Sequence, residues 1–290
     1  MVASARVRRR GLTPIPRAGD YDSRMTSPQN AARAAQDSSL FRRLARVGYV
    51  VLGILHLVIG GIAISIATGG GGEADQGGAM EQIRSTPVGI VLLWAIGAGL
   101  LALAAWQIAE ALLERDPDAK KAWAHRAKFL GTAVAYIAIA VTAVVVALGG
   151  QAESSDSSQT LSARLLATPG GVLLLILIGL AVAAVGVAFF VRGVTRAFEK
   201  HLDLPSGAAR RGIVALGVAG YVAKGLAVAA TGVLFIAAAV THDPETAGGL
   251  DAGLRALAGL PFGAVVLWVV GAGLVLYGLF CIARARYNRM

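Results

Sequence analysis

The chain has 290 residues, of which 56% are hydrophobic and only 15% charged, and its formal net charge is +10. Its mean hydropathy is +0.66, whereas soluble domains carry about 25% charged residues, so an ordinary water-soluble core is excluded. A single cysteine, Cys281, excludes an intramolecular disulfide framework.

Residues 1–46 are polar and basic. They hold ten arginines, including Arg8, Arg9, Arg10, Arg42, Arg43 and Arg46, against Asp20, Asp22 and Asp37. Pro14, Pro16 and Pro28 oppose a long helix. Residues 1–43 are therefore expected to form a disordered basic tail, with anionic lipid headgroups as a partner beside the bilayer itself.

Six continuously apolar stretches follow, at residues 47–67, 88–109, 130–149, 170–191, 214–240 and 262–283. Each has the roughly 20 residues that a membrane-spanning helix needs. Strands of a membrane barrel would be shorter and would alternate apolar with polar. The predicted fold class is all-α: a polytopic membrane protein of six transmembrane helices.

The connections alternate in charge. The loops after the first, third and fifth stretches carry Arg84, Arg164 and Arg255 as their only basic residues. The other side collects 23 basic residues, among them Arg115, Lys120, Lys121, Arg126, Lys128, Arg192, Arg196, Arg210, Arg211, Arg284 and Arg286. The positive-inside rule places both termini in the cytoplasm, with the chain in the plasma membrane. Topology thus accounts for the net charge, and no nucleic-acid partner is expected.

The second helix of each pair opens on the same motif: Pro87-Val-Gly89, Pro169-Gly-Gly171 and Pro261-Phe-Gly263. The proline is expected at the first helical position, where its missing N–H is tolerated. Ten residues beyond each proline stand Gly97, Gly179 and Gly271, and 23 residues beyond stand Glu110, Arg192 and Arg284. The first helices match less closely. Gly48-Tyr49 recurs as Gly220-Tyr221, and Gly53 and Gly60 recur as Gly225 and Gly232. In the middle copy Gly131, Tyr136 and Ala143 take those three glycine positions. The chain therefore reads as three tandem hairpins, over residues 44–115, 126–200 and 212–286.

Small residues recur every seven positions, as in Gly97, Ala104 and Ala111 or Gly179, Gly186 and Gly193. Such stripes let neighbouring backbones approach closely. They are expected to join helices within a hairpin or between adjacent hairpins. Repeats of two helices insert in one orientation, so a pseudo-three-fold ring is the simplest arrangement.

The tandem hairpins, the Gly48-Tyr49…Gly53 and Gly220-Tyr221…Lys224-Gly225 starts of odd helices, and the Pro-x-Gly starts of even helices resemble the bacterial DUF1206 family over roughly residues 44–286. That resemblance implies the topology and supplies no activity. Three two-helix repeats also occur in mitochondrial carriers, but the acidic-basic signature after the proline of their odd helices has no counterpart here.

His56 and Lys224 are the candidate intramembrane polar site. For His56 a proton-relay or ligand role stands beside that of a neutral, internally bonded side chain. Ile139 and Val228 hold the equivalent positions. Lys224 either snorkels to the headgroups or faces the three-fold axis. Thr142 and Thr231 are expected to bond the preceding helical turn. His125, His201 and His242 have no metal-ligand spacing, and no HExxH, Walker or G-x-S-x-G motif is present. No cofactor, metal or catalytic residue is therefore expected. The first expectation is a non-enzymatic structural, scaffolding or envelope-associated role. The alternative is a channel or small-solute or ion transporter with its path along the three-fold axis.

Overall fold

The computed structural model describes residues 38–114, 117–152 and 154–288. Most of the expected basic tail lies outside these residues. Its last part, residues 39–43, is already helical.

Among the described residues six helices are long and apolar enough to cross a membrane. They are α1 (Ser39–Ala67), α3 (Gly89–Leu113), α4 (Ala119–Ala147), α6 (Gly171–Val194), α7 (Ala208–Thr241) and α9 (Gly263–Tyr287). Between them on one side lie three short helices: α2 (Gln76–Arg84), α5 (Ser154–Leu166) and α8 (Gly249–Ala258). The chain is an integral membrane protein.

The long helices exceed the apolar stretches at their basic ends. The 34 residues of α7 rise about 51 Å, well over the roughly 30 Å of hydrocarbon. Polar first turns extend α4 and α7 beyond the apolar layer. In α4 the start is set by Asp118, whose carboxylate accepts from the backbone N–H of Lys120 at 2.9 Å and Lys121 at 3.4 Å.

The Pro-x-Gly motif works differently from expectation. The even helices begin at Gly89, Gly171 and Gly263, so each proline precedes the cap and is not the first helical residue. The glycine is required by packing. A methyl group there would collide with the carbonyl oxygen of Ile83, Leu165 or Ala258, near the end of the short outer helix. The same turn recurs three times. Gly89, Gly171 and Gly263 donate their N–H to Thr86, Thr168 and Leu260 at 2.9, 3.0 and 2.7 Å. The motif thus joins each outer helix to the membrane helix that follows. The outer helices were not legible as elements in the Gly- and Ser-rich loops.

The most extensive helix pairs are α6 with α7, α9 with α1, and α3 with α4. Each joins an even membrane helix to the next odd one, and the last closes back on the first. The glycine stripes make these contacts. A methyl on Gly60 would stand 2.6 Å from the Gly271 carbonyl oxygen, and one on Gly232 would stand 2.7 Å from that of Gly179. Gly97 faces Ala140 and Val144 more loosely, at 3.7 and 3.2 Å. In this pair Ala143 and Tyr136 take the two glycine positions of the facing stripe.

Within hairpins, α1 packs on α3 and α7 on α9, but α4 and α6 are not among the packed pairs. The pseudo-three-fold ring is therefore not confirmed: the helices form an open row in the order α4, α3, α1, α9, α7, α6. Equivalent residues show the difference. Val51 and Ala223 are 3% and 6% exposed, whereas Val134 is 66% exposed. Leu103 and Tyr277 are 0% and 4% exposed, whereas Val185 is 49% exposed. The middle outer helix has 13 residues against 9 and 10 in its equivalents.

On the outer side the first and third loops lock together. Asp251, 7% exposed, accepts from the Ala74 N–H at 2.8 Å and from Arg255 Nε at 2.6 Å. Arg255 also donates to the Gly72 carbonyl at 2.6 Å.

Candidate functional site

His56 and Lys224 are 168 residues apart in the chain, and the fold brings them together. The α1·α9·α7 packing sets His56 of α1 beside Lys224 of α7, with Nζ 3.1 Å from Nε2. His56 Nδ1 lies 2.8 Å from the Leu52 carbonyl oxygen. A carbonyl only accepts, so Nδ1 carries the proton. Nε2 is then a lone pair that accepts from the Lys224 ammonium. The histidine is both internally bonded and part of a polar pair.

Lys224 does not snorkel. Its ammonium lies 4.4 Å from the Tyr277 ring centroid and 5.1 Å from that of Phe189. Tyr277 in turn meets His56 edge-on at 4.7 Å. Two aromatic faces and an imidazole lone pair stabilise the cation at depth, so the side chain has partners without reaching for the interface.

Toward the basic end the repeat positions pair up. The Arg284 guanidinium lies 4.5 Å from the Tyr49 ring, and that of Arg192 lies 5.4 Å from the Tyr221 ring. These are equivalent contacts in two helix pairs: even-helix arginine on odd-helix tyrosine. The third pair has Glu110 and Thr132 at those positions. Tyr221 also stacks on Phe198 at 5.4 Å and meets Tyr277 and Phe280 edge-on. Phe198 comes from the short 3-10 turn Ala197–His201, in the link between the second and third copies. That link is tied down where Asp203 N–H donates to the Tyr287 carbonyl at 2.8 Å.

Sequence reasoning singled out His56 and Lys224 but not the aromatic shell. The signals for the arginine pairs were present: the repeated Gly-Tyr and the 23-residue offset from proline. Which stripe faces which was the missing information. Thr142 and Thr231 bond Ala138 and Ala227 of the preceding turn, each at 3.1 Å, as expected. Among the described residues no group of His, Cys, Asp or Glu could hold a metal ion.

These features define a six-helix membrane protein of three tandem repeats with a cationic, aromatic interior at its basic end. A family model, Domain of Unknown Function (DUF1206), matches three times, over residues 47–114, 127–196 and 219–288. The chain belongs to the DUF1206 family. It is 30% identical over 255 residues to the Uncharacterized protein YxxB of Bacillus subtilis (strain 168), covering 86% of this chain and 92% of that one. No solved structure matches the chain.

Proposed function

We propose that this is a non-enzymatic protein of the bacterial plasma membrane that binds an anion in its interior and transports it. Both termini, and with them the basic end of the bundle, lie in the cytoplasm. The observation that carries the reading is the inward Lys224. An ionisable residue within a membrane span is costly, so its presence marks a candidate functional site. Here it is held over two aromatic rings and against His56, with Arg192 and Arg284 toward the basic end. Positive charge concentrated in a low-dielectric interior attracts anions. His56 accepts from Lys224 and so positions the ammonium without neutralising it.

The test is anion binding and flux in proteoliposomes, using chloride, inorganic phosphate and succinate as probes. Wild type is expected to bind or pass at least one of them. Lys224→Met is expected to abolish that activity, and His56→Ala to weaken it. A wild-type protein inert to all three, or a Lys224→Met variant as active as wild type, would refute this solute reading. The glycine-stripe contacts favour a second reading, a structural element of the envelope, and an inert wild type would leave that one standing.

A further inference from the structure

The middle repeat departs from its neighbours at one seam. In copies one and three the odd helix presents a glycine to its own hairpin partner. Gly48 meets Gly99 and Leu103, and Gly220 meets the backbone of Tyr277. The equivalent Gly131 has nothing within 4 Å. The walls of this seam are apolar: Val134 on α4 and Val185 on α6 are both exposed.

At the basic end of the seam the chemistry changes. Arg192 is on α6, one wall of the seam, and its Nε is buried with no hydrogen-bond partner among the described residues. Lys128 is on α4, the other wall, with its ammonium 5.6 Å from the Phe129 ring centroid. Lys224 lies one turn beyond Tyr221, deeper in the bundle, with its ammonium 5.1 Å from the Phe189 ring centroid of α6. The carboxylates at this end of α3 are Glu110 and Glu114, and Glu114 is 3.5 Å from His125. Basic residues outnumber the carboxylates Glu110, Glu114, Asp118, Glu199 and Asp203 at this end and leave it positive. Buried donors without acceptors are rare in folded proteins.

We propose that the α4/α6 seam is a lateral doorway for an anionic phospholipid. Its acyl chains lie between Val134 and Val185, and its phosphodiester meets Arg192 and, one turn deeper, Lys224. Basic pockets between membrane helices suit phospholipid headgroups. The acyl chains explain why the seam is apolar along its length and charged only at its basic end. A second copy of the chain is the poorer occupant. A two-fold contact through this seam would bring Lys128 and Arg192 toward their own duplicates. The inference rests on the anion-binding reading and names the anion's class.

The test uses the full chain in phosphatidylcholine vesicles with a trace of spin-labelled phosphatidylglycerol or phosphatidylcholine. Electron paramagnetic resonance then reads which lipid the protein immobilises. Wild type is expected to prefer phosphatidylglycerol. Arg192→Gln is expected to lower that preference about five-fold, from about 1 kcal/mol per basic residue. Arg192→Lys, which keeps the charge, is expected to restore most of it. Val134→Trp and Val185→Trp fill the seam from exposed positions and so displace no packed neighbour. They are expected to remove the preference while phosphate binding at Lys224 survives. No preference in wild type overturns the lipid assignment, as does a preference that survives both tryptophans or a seam closed by dimerisation. If phosphate binding persists in those cases, the anion site stands alone. If Lys224-dependent binding of every anion is absent too, both proposals fall.

Discussion

A methyl group added at one repeat position should have opposite effects in different copies. At Gly220 it would sit 2.5 Å from the Cα of Tyr277 and 2.8 Å from its nitrogen. Non-bonded carbons settle at about 3.5–4.0 Å, so α7 and α9 must part by about 1 Å. Both obstacles are backbone, and no rotamer change relieves them. Overpacking of this kind costs about 1–3 kcal/mol. At Gly131 the methyl meets nothing within 4 Å, and alanine is the better helix former by about 1 kcal/mol. Gly220→Ala is therefore expected to lower stability and Gly131→Ala to leave it unchanged or raise it. Gly48→Ala should follow Gly220→Ala, because its methyl would strike the Gly99 carbonyl. The assay is denaturation in mild detergent, followed by circular dichroism as sodium dodecyl sulfate is added. Equal destabilisation by Gly131→Ala and Gly220→Ala would refute the open row, because it would mean that α4 and α6 are closed on each other.

Lys224→Met should separate stability from activity. Removing the ammonium relieves its desolvation but leaves the His56 Nε2 lone pair without its donor, which costs about 1–3 kcal/mol, so the denaturation midpoint is expected to move little while anion binding is lost; a variant that no longer folds would point to a purely structural lysine. Asp251→Ala unties the outer lock by removing the acceptor of the Ala74 N–H and the partner of Arg255. It should destabilise by about 2 kcal/mol, and an unchanged denaturation midpoint would show that the lock does not matter. Glu73 lies outside the spans. Burial, then the nearby Asp75, Asp251 and Asp156, push its carboxyl above the ordinary value of 4.5, with Arg255 opposing. The folded state therefore holds that proton more tightly than the unfolded state. Stability from this group is present below the unfolded value and falls as pH rises through the raised one. Glu73→Gln should flatten that slope in midpoints measured across the acidic range, and a slope identical to wild type would remove Glu73 as its source. Cys281 is 1% exposed and should resist maleimide until the protein is denatured; rapid labelling of the native protein would contradict its burial.

Much of the fold was legible because its signals are local. A continuous apolar run, an alternation of loop charge or a seven-residue stripe each acts within one helix or one connection. The six spans, the three hairpins and the even-helix motif of Pro87, Pro169 and Pro261 follow from those signals alone. The outer helices escaped because their composition is that of loops. They are held by Asp75, the Asp251 lock and the glycine turns, which are tertiary or capping contacts.

By itself, then, the sequence determined a six-helix membrane protein of three repeats, with close helix contacts along its glycine stripes. Tertiary structure decided which helix each stripe meets. A small residue permits close approach from any neighbour, and almost every helix here carries such a stripe, so spacing names no partner. The chosen partners are α6 with α7, α9 with α1, and α3 with α4. That choice turned Lys224 away from the interface and onto His56, and set Arg192 and Arg284 on the tyrosines of the neighbouring helix. The same packing decided that the middle hairpin stays open. Gly131 on α4 meets no neighbour there.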